Sequence, residues 1–500
     1  MANLADLGQP YDFWEYFLHI LEIPRCSRNE EKIRNFIKAE AEKFGFNSKI
    51  DEIGNIVVKI PTINQKLNCV LQCHMDMVCE KNEDVVHDFA KDPLRPKIID
   101  IDGEKWITAE GTTLGADNGV GVCFLLTLMK KIHSKELKFD TIGLELLFTV
   151  REEYDMGGAK NIDPNLVHGN YLINLDSGHK AITIGCTGGI GFHTRIQKKS
   201  TLIDRRKLNL SPIKLSISGL VGGHSGRCNK GQAHAINLLS QILWKLNTKY
   251  TIHINSIHGG GAANAIPREA NSIFFIKEDQ FEVIKLYIIE IFNEIKRLFD
   301  GIETDMNISI DKLKDFSSNE TFSKIVQNKL LDLLYTFPNG PIAFHPKIED
   351  LMFTSTNLGK IKTKADHIKL RWLHRSLSSY YNNEIYEQVL ALLNLSGLEL
   401  ENKYRGSYPP WEPNFNSKLL KIAQEVYKDI NKEEAEMKII HGGLEATLLI
   451  DKIPGIEAIA FGANSKGLHS PDERLEIKSV EGTWNFLIHL LKNLDIHKGI

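Results

Sequence analysis

Two ionisable side chains, His74 and Asp76, interrupt the apolar run VLQCHMDMV at residues 70–78. Buried without a partner, a neutral polar group costs roughly 2–7 kcal/mol and a charge costs more, so something must offset them. The pattern recurs along the chain. Glu152 and Glu153 follow LLFTVR, Asp176 follows NYLINL, and His469 lies in GANSKGLHSPDE after IEAIAFG. Asp117 stands in the glycine-rich stretch TTLGADNGVG, just ahead of another apolar segment. Two histidines and several carboxylates suit zinc better than magnesium, because imidazole is a good zinc ligand. Each residue also has a plainer reading. His-x-Asp can be a satisfied polar pair, adjacent glutamates a solvated strand exit, Asp117 a helix cap, and Asp176 and His469 turn residues. Several polar sites that each follow a strongly apolar run are hard to explain one by one, and a metal explains them together.

Such side chains need a scaffold that brings them to one place. NIVVKI (55–60), NCVLQC (68–73), LELLFTV (144–150), NYLINL (170–175) and IEAIAFG (456–462) read as strands, and GVGVCFLLTLMKKI (119–132) as a buried helix. Ser27 and Glu30 have capping-box spacing ahead of a helical apolar stripe. Strands alternating with helices indicate an α/β fold with a largely parallel mixed sheet. Ligands in such sheets bind outside the carboxyl ends of the strands, where these polar residues stand. Adjacent residues of a regular strand point to opposite faces, so Glu152 and Glu153 can serve one site only through an irregular exit. The middle of the chain differs: QKKSTLIDRRKLNLSPIK (197–214) is polar and basic, KLSISGL (214–220) alternates like a half-exposed strand, and AHAINLLSQILWKL (233–246) carries a helical stripe. The expected organisation is a catalytic domain in two parts, 1–190 and 401–500, interrupted by an α/β lid domain over 191–400.

A chain of 500 residues with 42% apolar content can bury more than one core. A net charge of −3 gives no support for nucleic acid as a partner. The seven cysteines are scattered without Cys-x-x-Cys pairs, which indicates neither a disulfide framework nor a thiolate zinc site and suits a reducing cytoplasm. Cys69 and Cys73 read as small buried hydrophobes. The first residues lack the basic region of a signal peptide, and no stretch reaches the roughly 18 apolar residues of a membrane span. A cytoplasmic protein without membrane partners is expected. The glycine-rich GCTGGIG (185–191) and LGADNGVG (114–121) raise a nucleotide-binding oxidoreductase, but neither has Gly-x-Gly-x-x-Gly spacing.

CHMDMV, GTTLGADNG, REE, NLDS, GGHSG, NAIPREA, IIHGGLE and HSPDE occur in this order. Together they resemble the bacterial aminoacyl-histidine dipeptidases, within the di-zinc aminoacylase and carboxypeptidase family, from about residue 10 to 495. The resemblance implies two zinc ions per chain, with cobalt or manganese as substitutes. His74, Asp117 and Asp176 would hold one ion and Asp117, Glu153 and His469 the other, with Asp117 bridging. Asp76 would orient His74, and Glu152 would be the general base. His224 in GGHSG would steady the oxyanion. Asn264 and Arg375 would meet the substrate's carboxylate or backbone, and Glu445 its free amino group. The implied substrate is an unblocked dipeptide with C-terminal histidine. The lid would either serve its own active site or reach across to a second copy in a homodimer.

The chain departs from the family pattern at Arg227, Cys228 and Lys230 after GGHSG, and at SGHK after Asp176. Neither departure touches an implied ligand, though both bear on substrate preference. The nearest alternative is another di-zinc amide hydrolase, an aminoacylase or carboxypeptidase, which would not need Glu445. A catalytically dead relative is opposed by the presence of every ligand position and of Glu152.

Overall fold

The computed structural model describes residues 7–346 and 348–496. The chain forms two compact units. The first comprises residues 1–186, 411–439 and 444–500, and the second 187–410 and 440–443.

The first unit is built on an eight-stranded mixed sheet, in the order Asn47–Ile50, Ile56–Ile60, Ile142–Thr149, Leu67–His74, Tyr171–Asn174, Glu457–Ala460, Ala181–Cys186 and Glu436–Ile440. Its central pairs are parallel, and antiparallel pairs flank them. Ile142–Thr149 is buried at every position, the continuous apolar pattern of a strand covered on both faces. Register decides which residues emerge together. His74 lies opposite Thr149 and Gln72 opposite Asn174, so Asp76, the Arg151 turn and Asp176 all leave the sheet at one edge.

Helices Tyr11–Ile20, Ala116–His133, Lys418–Asn431 and Ile477–Ile496 contribute to the core of this unit. Phe124 packs its ring against those of Phe13 and Trp484 at 4.9 and 6.0 Å. Ala116–His133 buries nearly all of its length through Met129, so no amphipathic stripe marks it. A second, four-stranded sheet pairs Ser465–Lys466 with Arg474–Glu476 and holds the His469 loop between them.

The second unit carries a nine-stranded sheet in which every described pairing is antiparallel. Strand His367–Ser376 alternates in burial over most of its length, with Ile368, Leu370 and Trp372 in the core. Helices Ala235–Lys249, Phe281–Leu298, Lys324–Thr336 and Ser379–Leu395 contribute to that core.

Two expectations are corrected. The helix Glu31–Lys43 begins without a side-chain cap, because the Ser27 hydroxyl donates instead to Asp76 at 2.6 Å. The Glu30 carboxylate accepts from the Arg28 and Arg151 amides. Cys26 and Cys79 form a disulfide across 53 residues. Sequence spacing carries no signal for that pairing, because a β-bridge between Cys26 and Met77 brings the two segments together. Cys69 and Cys73 are buried thiols.

Candidate active site

His74 ends its strand fully buried. Its Nδ1 lies 3.1 Å from the Asp76 carbonyl and 3.4 Å from the Asp76 carboxylate. Its Nε2 faces three acids: Asp117 at 3.0 Å, Asp176 at 3.7 Å and Glu152 at 4.0 Å. Asp76 is itself fully buried and accepts from the Ser27 hydroxyl and from the amides of Glu152 and Glu153. One carboxylate thus lies beside the His74 ring and anchors the next strand's exit.

That exit is irregular, as the paired glutamates require. Arg151 takes a left-handed backbone with φ of 61°, and Glu152–Asp155 then forms one short helical turn. A left-handed residue re-aims the chain, so both glutamates can face the site. Asp117 occupies the first turn of Ala116–His133, where its own backbone is not helical. It turns one oxygen to His74 and the other to His469, at 3.0 and 3.3 Å. His469, also left-handed, reaches Glu153 at 2.8 Å.

Three groups of side chains bring their donor atoms within 4.8 Å of one another: His74 with Asp117 and Asp176, Asp117 with Glu153 and His469, and His74 with Glu152 and Glu153. All five residues expected as ligands are therefore gathered, with Asp117 common to two groups. The electrostatics call for a cation. Burial pushes the carboxyls of Glu152, Asp176 and Glu153 above their ordinary range, and the neighbouring acids push the same way. Burial opposes charge on His74, yet Asp117, Asp176, Asp76 and Glu152 outweigh it and hold its pKa well above normal. Asp117 and Glu153 carry that of His469 up to about 11. A dication among these acids would neutralise the charge that burial disfavours. The imidazole and carboxylate donors fit a divalent transition metal.

Glu445, 1% exposed, accepts from Gln72 at 2.7 Å and from Thr149. Burial pushes its carboxyl up to about 7, with His74 and Thr149 opposing. In the second unit Arg375 is buried. It donates to the Ser225 hydroxyl at 2.8 Å and lies 3.2 Å from His224 Nε2. The Asn264 carbonyl accepts from the Ser225 amide at 2.8 Å, which brings the Asn264 loop beside His224. Asn357 pins that loop by donating to the carbonyls of Ala263 and Ala265.

Sequence reading overlooked Gln72, Thr149, Arg25, Glu473 and Asn357, and read Ser27 only as a helix cap. Gln72 carried the same signal as His74, a polar residue inside the apolar run VLQCH. Glu473 stood in the quoted HSPDE segment. Nothing in the local pattern marked Arg25 or Asn357.

A family model for the peptidases of family M20/M25/M40 matches residues 70–493. The chain is 33% identical to the cytosol non-specific dipeptidase of Escherichia coli (strain K12), over 99% of each chain. It is 31% identical to the crystal structure of aminoacylhistidine dipeptidase from Vibrio alginolyticus, with a TM-score of 0.82 and 98% of each chain covered. The di-peptidase Dug1p from Saccharomyces cerevisiae shares the fold, with a TM-score of 0.57 at 13% identity and coverage of 99% of this chain and 98% of that one.

Proposed function

We propose that this chain, which belongs to peptidase family M20/M25/M40, is a cytoplasmic metal-dependent dipeptidase. Its substrates are unblocked dipeptides, with histidine favoured on the C-terminal side. The observation that carries the metal reading is Asp117, whose two oxygens face His74 and His469 separately. We read the metal as zinc, two ions per chain, with His74, Asp117 and Asp176 holding one and Asp117, Glu153 and His469 the other. Cobalt and manganese are the substitutes such donors accept. The dipeptide reading is supported by the likeness to the Escherichia coli and Vibrio dipeptidases, and the histidine preference by the latter alone.

When bound, divalent metal supplies Lewis-acid polarisation and acidifies water toward neutral pH. The protein's own residues do the rest. The two groups that share Asp117 leave Glu152 uncommitted, and its amide is tied to Asp76 at 3.0 Å. As general base Glu152 takes the proton from the attacking water and returns it to the leaving amine. Asp76 fixes the ring of His74, the role of a carboxylate behind a metal-binding histidine. Glu445 meets the substrate's ammonium, a charge that an N-acylated substrate lacks. We assign the substrate's carboxylate to the Arg375 guanidinium, whose fork suits it bidentately, with Asn264 alongside, and the oxyanion to His224.

The test is the initial rate of the zinc-loaded protein on β-alanyl-histidine, glycyl-histidine, alanyl-alanine and an N-acetylated dipeptide. We expect cleavage of the three free dipeptides, fastest for those with histidine, and none of the acetylated one. Glu152→Gln is expected to lower kcat by about 10²–10⁴-fold with metal content unchanged. Equal rates on alanyl-alanine would remove the histidine preference. Cleavage of the acetylated substrate alone would replace the dipeptidase reading with an aminoacylase.

A further inference from the structure

Behind the metal-facing acids lies a second layer of charge that the mechanism above does not use. Arg25 is 1% exposed. Its guanidinium donates through Nη1 to the carbonyls of Met75 and Asp76, both at 3.2 Å, and through Nη2 to the carbonyl of Gly115. Glu473 is 2% exposed. Its carboxylate accepts from the amides of Leu114 and Gly115, each at 2.8 Å, and of Asp117 at 3.1 Å. The two charges therefore hold one short turn, Arg25 by a carbonyl and Glu473 by its N–H groups. Each also holds a second ligand-bearing segment. Arg25 grips the two residues that follow His74, and Glu473 belongs to the His469 loop, where its amide donates to the Ser470 carbonyl at 3.0 Å.

From this geometry we infer that Arg25 and Glu473 are positioning residues, which together set Asp117 between the His74 and His469 groups. The inference rests on the two-metal reading above. Arg25 serves here because a rigid planar fork can meet carbonyls on two separate segments at once, which a lysine ammonium on a flexible stem cannot hold in one plane. Glu473 serves because an ionised carboxylate accepts several amides in charge-assisted bonds, which are shorter and stronger than neutral ones. The glycines of LGADNGVG then have a use other than cradling phosphate. A Cβ on Gly115 would lie 2.5 Å from Arg25 Nη2, and one on Gly119 would lie 2.7 Å from it. The turn is glycine-rich where it must admit the guanidinium.

Zinc titration of the metal-free full-length protein against a chromophoric chelator tests this, using Glu473→Gln, Arg25→Lys and Gly119→Ala. Gly119 is helical and alanine favours helix, so the last variant crowds the fork, and Ile20 Cδ1 at 3.0 Å, without removing a charge or weakening the helix. Because both groups share Asp117, we expect each zinc to bind about 10–100-fold more weakly in all three, the range for residues that orient metal ligands. The visible spectrum of the cobalt-loaded protein is expected to change with them. A purely structural role would lower the unfolding midpoint of the metal-free protein and leave zinc affinity and the cobalt spectrum of the folded protein unaltered. Wild-type affinities within about threefold in Gly119→Ala and Glu473→Gln, with an unchanged cobalt spectrum, would overturn the inference alone. Wild-type protein that binds no zinc would overturn it together with the two-metal reading.

Discussion

Around His74 and His469 burial raises the carboxyls of Glu152, Glu153 and Asp176, while the two histidines hold that of Asp117 low, and this bears on how metal binding depends on pH. Glu152, Glu153 and Asp176 have raised carboxyls, and both histidines are raised as well. A raised group holds its proton to higher pH than usual, and a metal binds where that proton leaves. Zinc binding by the metal-free protein is therefore expected to release protons, and apparent affinity to rise with pH. Loss of one proton per ion gives about tenfold per pH unit between pH 6 and 8. Calorimetry at one pH in buffers of different ionisation enthalpy counts the protons. Binding without proton release would mean that the acids are already ionised and that some other group neutralises them.

At the scale of elements, the segment after strand Leu67–His74 leaves the sheet and is tied to the Arg25–Ser27 segment by the Cys26–Met77 bridge and by the Met77 amide, which donates to the Arg25 carbonyl at 3.1 Å. Met75–Cys79 is held by the Arg25 fork, by the Ser27 hydroxyl on Asp76 and by the Cys26–Cys79 disulfide. Closing a loop of 53 residues is worth at most about 4 kcal/mol in the chain-entropy description. Reduction with a dithiol, or Cys79→Ser, is expected to lower the unfolding midpoint by several degrees. Alkylation with mass spectrometry checks that the bond was present. Purified from a reducing cytoplasm, the pair is expected as two thiols that oxidise afterwards. An unchanged midpoint on reduction would mean that the Arg25 and Ser27 side chains and the Cys26–Met77 bridge hold the segment without it.

The molecule as a whole divides into two units with different sheets, and the second holds the buried His374 and the half-buried His234 and His441. Burial lowers His374 and His441 to about 3 and His234 to about 4. Both ring nitrogens of His374 are buried without a hydrogen-bond partner. An unfolded histidine takes its proton near pH 6.5. Between that pH and the folded value the unfolded chain binds more protons, so stability is fully present above about 6.5 and is lost as pH falls. Each such histidine removes up to about 1.4 kcal/mol per pH unit in that window. The urea midpoint of the second unit is expected to fall between pH 7.5 and 5.5, and less steeply in His374→Leu, which also stands higher at every pH. A midpoint independent of pH across that window would mean that these rings take up protons in the folded state as readily as in the unfolded chain.

Much of the catalytic scaffold was legible in the chain alone. The strands ending at His74 and Asn174 and the helix Ala116–His133 are marked by apolar runs. A polar residue at the end of such a run is anomalous in any fold, and for that reason His74, Asp76, Asp176 and the paired glutamates stood out. Burial is a local demand, and local patterns report it. Convergence at the strand ends could be expected from the α/β pattern, but the distances could not, since they depend on parallel register, on Arg151 turning left-handed and on a loop hundreds of residues away reaching Asp117. The apparent capping box at Ser27 misled because tertiary structure offered its hydroxyl a buried carboxylate instead of a helix amide. The Cys26–Cys79 bond and the grip of Arg25 and Glu473 on the Asp117 turn lie in the same class. Chemistry and burial are carried residue by residue and so belong to the sequence. Distances between remote segments are set by the packing of the whole unit, and only the folded chain decides them.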